Sequence, residues 1–271
     1  MEIKYLGTGA AEGWPGIFCK CDNCRRAVQQ GGRNIRTRSQ ALVDGRLLLD
    51  FPADTLRHMQ EHGIDFSKVA DCLVTHTHSD HLYTDDLTIR RKNFAVFEPG
   101  TVFTMYGDAS TGKMIKERGI TDIAQVNFVQ LPLYVSTPVA GYNVTALRAD
   151  HGNGDDCVFY MIQGEKTMLY AHDTGPFPEE VWQHFEKVKP HFDFVSLDCT
   201  YITMDCNYKH LGVGGDWEMR KRMTDCGYAD GNTKFCLNHF SHNSGMTYDE
   251  LSFYLDGTDW IIAYDGMSVE F

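Results

Sequence analysis

Six consecutive positions constrain this chain more than any others: His76-Thr77-His78-Ser79-Asp80-His81 follows directly on the apolar stretch Cys72-Leu73-Val74-Thr75. Along a straight strand, alternation would send His81 to the face opposite His76 and His78. A short loop at a strand end can instead turn imidazoles and a carboxylate towards one point, as a divalent metal requires. A solvated polar turn accounts for any one of these histidines alone, but poorly for the complete H-x-H-x-D-H pattern.

The 271 residues, 42% of them hydrophobic, suffice to bury a full core. No low-complexity segment, internal repeat or long Pro/Gly/Ser linker divides them, so a single domain over 1–271 is expected. A formal net charge of -12 at pH 7 argues against a protein that wraps polymeric nucleic acid, because that needs a cationic face. Met1 to Leu6 reads as a first strand rather than a secretory leader. No apolar run approaches the roughly 20 residues of a spanning helix, so a cytoplasmic protein without a membrane partner is expected.

Apolar, β-branched runs predict strands at Ser39–Val43, Arg46–Asp50, Asp71–Thr75, Val102–Tyr106, Tyr142–Leu147, Val158–Gln163, Thr167–Ala171, Phe192–Leu197, Lys234–Leu237 and Trp260–Ile262. Helical spacing marks Ala53–Glu61, Ser110–Glu117, Glu179–Lys187, Trp217–Met223 and Tyr248–Tyr254, with Thr247 as N-cap of the last. Paired strands early and midway indicate hairpins mixed with crossovers. That pattern suits an α/β fold of two packed mixed sheets covered outside by helices.

Of the nine cysteines, Cys72, Cys157, Cys199, Cys206, Cys226 and Cys236 are scattered through strand-like or helix-like stretches and read as buried thiols. Cys19, Cys21 and Cys24 share one short loop. In a reducing compartment such neighbours are more often a metal clamp than disulfide partners, and they need a fourth ligand. Gly7-Thr8-Gly9 is not a dinucleotide loop, since Glu12 stands where the third glycine should be, and Gly212-Val213-Gly214-Gly215 lacks the lysine and hydroxyl of a phosphate loop. Arg90-Arg91-Lys92 reads as a solvated helix face.

With these residues in view, the chain resembles the metallo-β-lactamase superfamily, for which H-x-H-x-D-H after a hydrophobic strand is the hallmark. The resemblance runs the length of the chain and implies the αββα sandwich of that superfamily. It implies that Asp50 supports the site from behind, that His151 in Ala149-Asp150-His151-Gly152 is the next ligand, Asp173 the metal-bridging carboxylate and His239 the last histidine. Taken alone, His151 reads as a hydrogen-bonded loop residue and Asp173-Thr174-Gly175 as turn chemistry. Within the superfamily the match is closer to the PhnP-like phosphodiesterases, on Gly7-Thr8-Gly9, Cys19-x-Cys21-x-x-Cys24, Arg36-Thr37-Arg38-Ser39 and His239-Phe240-Ser241-His242. In such proteins a histidine in the position of His242 completes a structural zinc site with the three cysteines.

The resemblance further implies two divalent ions, zinc or manganese: one on His76, His78 and His151, the other on Asp80, His81 and His239, with Asp173 shared. A hydroxide held between them would attack a small, in some cases cyclic, phosphodiester. Asp80 and His210 are the candidate catalytic residues, His210 matching the histidine that relatives use near the leaving group. The alternative for His210 is an ordinary histidine in a Gly-rich surface loop. Related enzymes imply a homodimer. Leu82-Tyr83 departs from the family, where glycine commonly stands, and His172 has no assigned role. A tRNA 3′-processing endonuclease, a lactonase, a thioester hydrolase and a non-enzymatic ligand-binding relative are the competing readings on the same scaffold.

Overall fold

In the computed structural model, residues 1–97, 100–152, 157–204 and 208–271 are described. The first half supplies β1 (Glu2–Gly7), α1 (Asp22–Gln30), β2 (Gln40–Val43), β3 (Leu47–Leu49), α2 (Thr55–His62), β4 (Asp71–Leu73), α3 (Thr84–Leu87), β5 (Phe103–Gly107), α4 (Ala109–Glu117), α5 (Ile120–Ile123) and β6 (Val126–Gln130). The second supplies β7 (Ser136–Val139), β8 (Tyr142–Arg148), β9 (Val158–Gln163), β10 (Thr167–Ala171), α6 (Glu179–Val188), β11 (Phe194–Asp198), α7 (Val213–Asp225), β12 (Lys234–Asn238), α8 (Tyr248–Tyr254), β13 (Ile261–Ile262) and β14 (Ser268–Glu270).

Two seven-stranded mixed sheets result, ordered β14-β1-β2-β3-β4-β5-β6 and β13-β12-β11-β10-β9-β8-β7. Each is antiparallel on one side and parallel on the other: β3 to β6 run parallel, as do β10 to β13. The sequence alternation assigns the faces. Leu42, Leu48, Cys72 and Met105 stand in register across β2 to β5 and join Ile115 of α4 and Ile120 of α5 in an outer cluster. Their neighbours Ala41, Val43, Leu47, Leu49 and Leu73 point the other way, into the main core with Phe159, Tyr170 and Leu197 of the second sheet. Helices cover the outside; α6 buries Val181, Trp182 and Phe185 on one face. This is the αββα sandwich that the sequence led us to expect. Among the described residues no helix is long and apolar enough to cross a membrane.

Several elements differ from the sequence reading. β6, β7 and β14 were not expected; they are short strands at or next to sheet edges, where apolar alternation is weakest. Cys24 lies in the first turn of α1 rather than in a loop, with Cys21 as N-cap. Gly214 and Gly215 fall in the first turn of α7, which is longer than expected. Cys72, Cys157, Cys199 and Cys236 are buried, whereas Cys226 is exposed just past the end of α7. Cys206 lies outside the described residues.

Two motifs of the sequence prove to be joints between distant segments. A Cβ on Gly7 would sit 2.0 Å from the Arg38 carbonyl oxygen, so the glycine permits close backbone approach. Asp265 accepts from Thr8 Oγ1, from Thr37 Oγ1 and from the Thr37 backbone N–H, each at 2.6 Å. Arg36 is buried over the Phe240 ring and donates to Thr8 Oγ1 and the Ala263 carbonyl, both at 2.7 Å. Burial lowers its guanidinium to about 10, with the Asp265 charge opposing. Asp265→Ala removes that charge and strands three donors; a loss of about 3 kcal/mol is expected. The urea midpoint checks it, and an unchanged midpoint would show that the network contributes nothing net.

Candidate metal centre

The crevice is built where strands of both sheets end. Asp50 follows β3, Thr75 and His76 lie just past β4, Asp173 follows β10, Asp198 closes β11 and His239 follows β12. Asp50, Asp173 and His239 have φ of 65°, 51° and 63°. Left-handed backbone in such residues costs roughly 1–3 kcal/mol each and persists where surrounding structure enforces it. Here it turns the chain sharply off each strand and leaves the side chain in the crevice.

Donor atoms within 4.8 Å of one another form three groups in the crevice: His76 with His78 and His151, Asp80 with His81, Asp173 and His239, and, sharing two of the latter's members, Asp173 with Asp198, His210 and His239. Asp173 belongs to the last two and also faces the first. Its Oδ2 is 2.5 Å from His81 Nε2, 3.3 Å from His239 Nε2 and 3.6 Å from His76 Nε2, and its Oδ1 is 4.0 Å from His151 Nε2. Each of the residues expected from the H-x-H-x-D-H stretch, together with His151, Asp173 and His239, is therefore brought into one crevice.

The nitrogens that turn away from the centre are tied down. His81 Nδ1 meets Asp50 Oδ2 at 2.7 Å, and Asp50 Oδ1 also accepts from the Thr75 backbone N–H at 2.8 Å. His76 Nδ1 meets Thr75 Oγ1 at 3.0 Å, His239 Nδ1 meets Thr200 Oγ1 at 2.8 Å, and His151 Nδ1 faces the Lys209 carbonyl at 3.3 Å. Partners of this kind fix the ring and tautomer, and leave the opposite nitrogen for a cation.

Two features show that these residues fit such a cation. His81 Nε2 and His239 Nε2 are buried and make no hydrogen bond of proper geometry, a costly state unless another partner is supplied. His76 Nε2 lies 2.8 Å from His78 Nδ1, which lies 3.3 Å from His151 Nε2; a single proton on His78 Nδ1 could serve only one of its two neighbours fully, whereas a cation among the three would serve all. The charge balance agrees. Burial holds His76 and His151 below the ordinary histidine range, the neutral form that binds metal. Burial opposes ionisation of Asp173 and Asp80, yet the neighbouring histidines outweigh it and hold both carboxyls well below their usual range.

Sequence reasoning missed Asp198. It is fully buried, and its Oδ1 accepts from the backbone N–H groups of Thr200 and Leu211, both at 3.0 Å. Its Oδ2 accepts from the Asp173 backbone N–H at 3.0 Å and lies 3.1 Å from His210 Nδ1. His210 is thus at the crevice, with Nδ1 also 3.3 Å from Asp173 Oδ1. Burial opposes its protonation, but Asp198 outweighs this and raises it to about 9. The available signal was an apolar run ending in aspartate, as at Asp50; the predicted strand stopped one residue short. His172 is buried behind the site, 2.7 Å from Ser196 Oγ, and Arg90 donates to the carbonyls of Thr101, Ala124 and Gln125. The Arg90 side chain is therefore structural rather than a solvated charge.

A separate group joins Cys19, Cys21, Cys24 and His242, again within 4.8 Å. Backbone N–H groups point at the sulfurs: Gly16 to Cys24, Cys21 to Cys19 and Cys24 to Cys21, at 3.3, 3.5 and 3.4 Å. Against the upward push of burial, the Cys24 N–H and the neighbouring thiols and His242 draw the Cys21 thiol down to about 6. This donor set fits a thiophilic ion such as zinc.

The beta-lactamase superfamily domain model matches residues 46–239, a span that contains every residue of the His/Asp groups. Among solved structures, a diphosphatase from the PhnP family superposes with a TM-score of 0.78 at 20% identity, covering 100% of this chain and 97% of that one. Zinc-bound PqqB from Methylobacterium extorquens gives 0.69 at 18%, covering 100% of each chain. Human tRNase Z, short form, gives 0.67 at 14%, covering 100% of this chain and 99% of that one. No curated protein sequence matches. The structural likenesses establish the fold, and the matched span establishes more: this chain belongs to the beta-lactamase superfamily, a family made up mostly of metal-dependent hydrolases.

Proposed function

We propose that this protein hydrolyses small phosphodiesters at a two-metal centre. The observation that carries the reading is Asp173, whose Oδ2 faces His81 and His239 on one side and His76 on the other, while His210 stands against its Oδ1. When bound, the ions would supply charge stabilisation for a phosphoryl oxygen and a water acidic enough to attack at neutral pH. His76, His78 and His151 would hold one, Asp80, His81 and His239 the other, and zinc or manganese suits both sets.

The chain's own residues do the rest. Asp50, Thr75 and Thr200 hold the imidazoles in fixed orientation, so no side chain must reorganise as charge develops. Asp198 holds His210 through Nδ1, which leaves Nε2 as the nitrogen able to hand a proton to a leaving oxygen. A phosphoanhydride is the second reading, favoured because the PhnP-family relative is described as a diphosphatase. The formal charge of -12 weighs against a tRNA substrate, and the complete donor set weighs against a ligand-binding relative without activity. A cytoplasmic, homodimeric enzyme of a single domain over 1–271 remains our expectation.

Metal analysis of purified protein should find the pair of the His/Asp groups plus one zinc on the cysteines. Asp173→Ala is expected to lose the pair and at least 100-fold in turnover, roughly the scale of losing a key electrostatic group, while the cysteine-bound zinc stays. Full retention of metal by that variant would remove Asp173 as the bridge. A panel of a cyclic nucleotide phosphodiester, an artificial diester, a diphosphate, a lactone and a thioester should show turnover at phosphorus; turnover of the carbon esters alone would sink the proposal.

The proton donor must be protonated, so activity is expected to fall as pH rises through the His210 value. That limb should lie at or below pH 9, since bound cations would lower the raised value. Asp198→Asn removes the charge that raises it and should move the limb to lower pH. His210→Ala should cost about 100-fold on a poor leaving group and little on an activated one. Equal losses on both substrates would assign His210 another role.

A further inference from the structure

Glu12 interrupts what would otherwise be a glycine loop, and its carboxylate has a different use. Glu12 Oε1 accepts from Ser241 Oγ and, at 3.2 Å, from Asn243 Nδ2. The same oxygen lies 3.6 Å from His242 Nε2. The imidazole between them is buried, and its other nitrogen is turned to the sulfurs: Nδ1 lies 3.8 Å from Cys19 Sγ and 3.5 Å from Cys21 Sγ. Gly16 makes room for this orientation, since a Cβ there would come within 2.7 Å of His242 Nε2.

A histidine binds a metal through one nitrogen of the neutral ring and carries its proton on the other, and a carboxylate 3.6 Å from Nε2, past hydrogen-bond length, favours the proton there through its charge. We infer that Glu12 is the positioning residue of the cysteine clamp, facing His242 Nε2 so that Nδ1 is the nitrogen offered to zinc. This rests on the clamp being a zinc site, as proposed above. Glu12 has a second consequence through Ser241, which lies in the short stretch joining His239 to His242. Phe240 in that stretch is paired to the N-terminal loop through Phe240 N–H to the Thr8 carbonyl at 2.9 Å and Ala10 N–H to the Phe240 carbonyl at 3.0 Å. Glu12 therefore grips the clamp and the backbone that carries the last imidazole of the metal centre.

The test is zinc affinity, measured on the full chain by competition with a chromophoric chelator, with Cys21→Ser identifying the clamp's ion. Glu12→Gln keeps an acceptor for Ser241 and Asn243 but removes the charge facing His242. It is expected to weaken the clamp's zinc by about tenfold to a hundredfold, the usual scale for such partners, with the metal-free melting temperature unchanged. Glu12→Asp should recover part of the loss. With cobalt(II) in place of zinc, the thiolate-to-metal band should persist in Glu12→Gln, because the ligands remain. Affinity within twofold of the unsubstituted chain would overturn the role of Glu12 and leave the clamp standing. No clamp ion to lose, seen as identical zinc content in Cys21→Ser, would overturn both.

Discussion

A buried crevice that gathers Asp50, Asp80, Asp173 and Asp198 around the imidazoles of His76, His81 and His239 holds more negative charge and more lone pairs than burial tolerates unaided. The rest of the structure is arranged to withstand that concentration. His81 and His239 are drawn towards their protonated forms by the carboxylates around them, although burial opposes it. A cation would replace those protons and let the nitrogens serve as donors. The outward anchors at Asp50, Thr75, Thr200 and Lys209 then matter twice, once for ring orientation and once for keeping the donors together against repulsion.

Neither sheet could build this crevice alone. The first contributes Asp50 and the 76–81 loop, the second His151, Asp173, Asp198 and His239. Their relative register is fixed close to the site. Tyr160 of β9 donates to the Val74 carbonyl at 2.5 Å, and the Val158 N–H donates to the Thr75 carbonyl at 3.0 Å. These bonds cross from one sheet to the last residues before His76, so a slip of one sheet over the other would part the donors. Burial of Phe159 and Tyr170 with Leu47 and Leu49 in the common core contributes apolar stabilisation that offsets the strain at the three left-handed residues.

The sequence carried the architecture where its physics is local. The continuous apolar runs Leu47-Leu48-Leu49 and Cys72-Leu73-Val74 sufficed for strands, and strand ends sufficed to nominate candidate ligands. Strands such as β6, Val126–Gln130, and β14, Ser268–Glu270, escaped because a strand near a sheet edge is defined by its neighbour more than by its own residues. Asp198 escaped for a related reason: nothing local distinguishes it from any aspartate after a strand, and its importance arises only from contacts with Asp173, Leu211 and His210. The Gly7-Thr8-Gly9 and Arg36-Thr37-Arg38 stretches carried the resemblance, but their physical role as a joint with Asp265 needed the C-terminal segment to be in place.

That dependence on the far end of the chain sets an order on assembly. The contacts that complete the centre span most of the sequence: Cys19 to His242, Glu12 to Ser241 and Thr8 to Asp265. Contacts of such separation carry a large loop-closure cost and form after the local ones. His76 to His81 follow β4, which pairs with β3 nearby in the chain, whereas the stretch after His239 is held through Phe240 by the N-terminal loop. An ion at the cysteines would act on that late step, because it joins the loop before α1 to the turn after β12 and so restricts the freedom that would otherwise let His239 leave the crevice. Such an ion would in this way bear on the geometry of the His/Asp crevice, from the far side of Phe240.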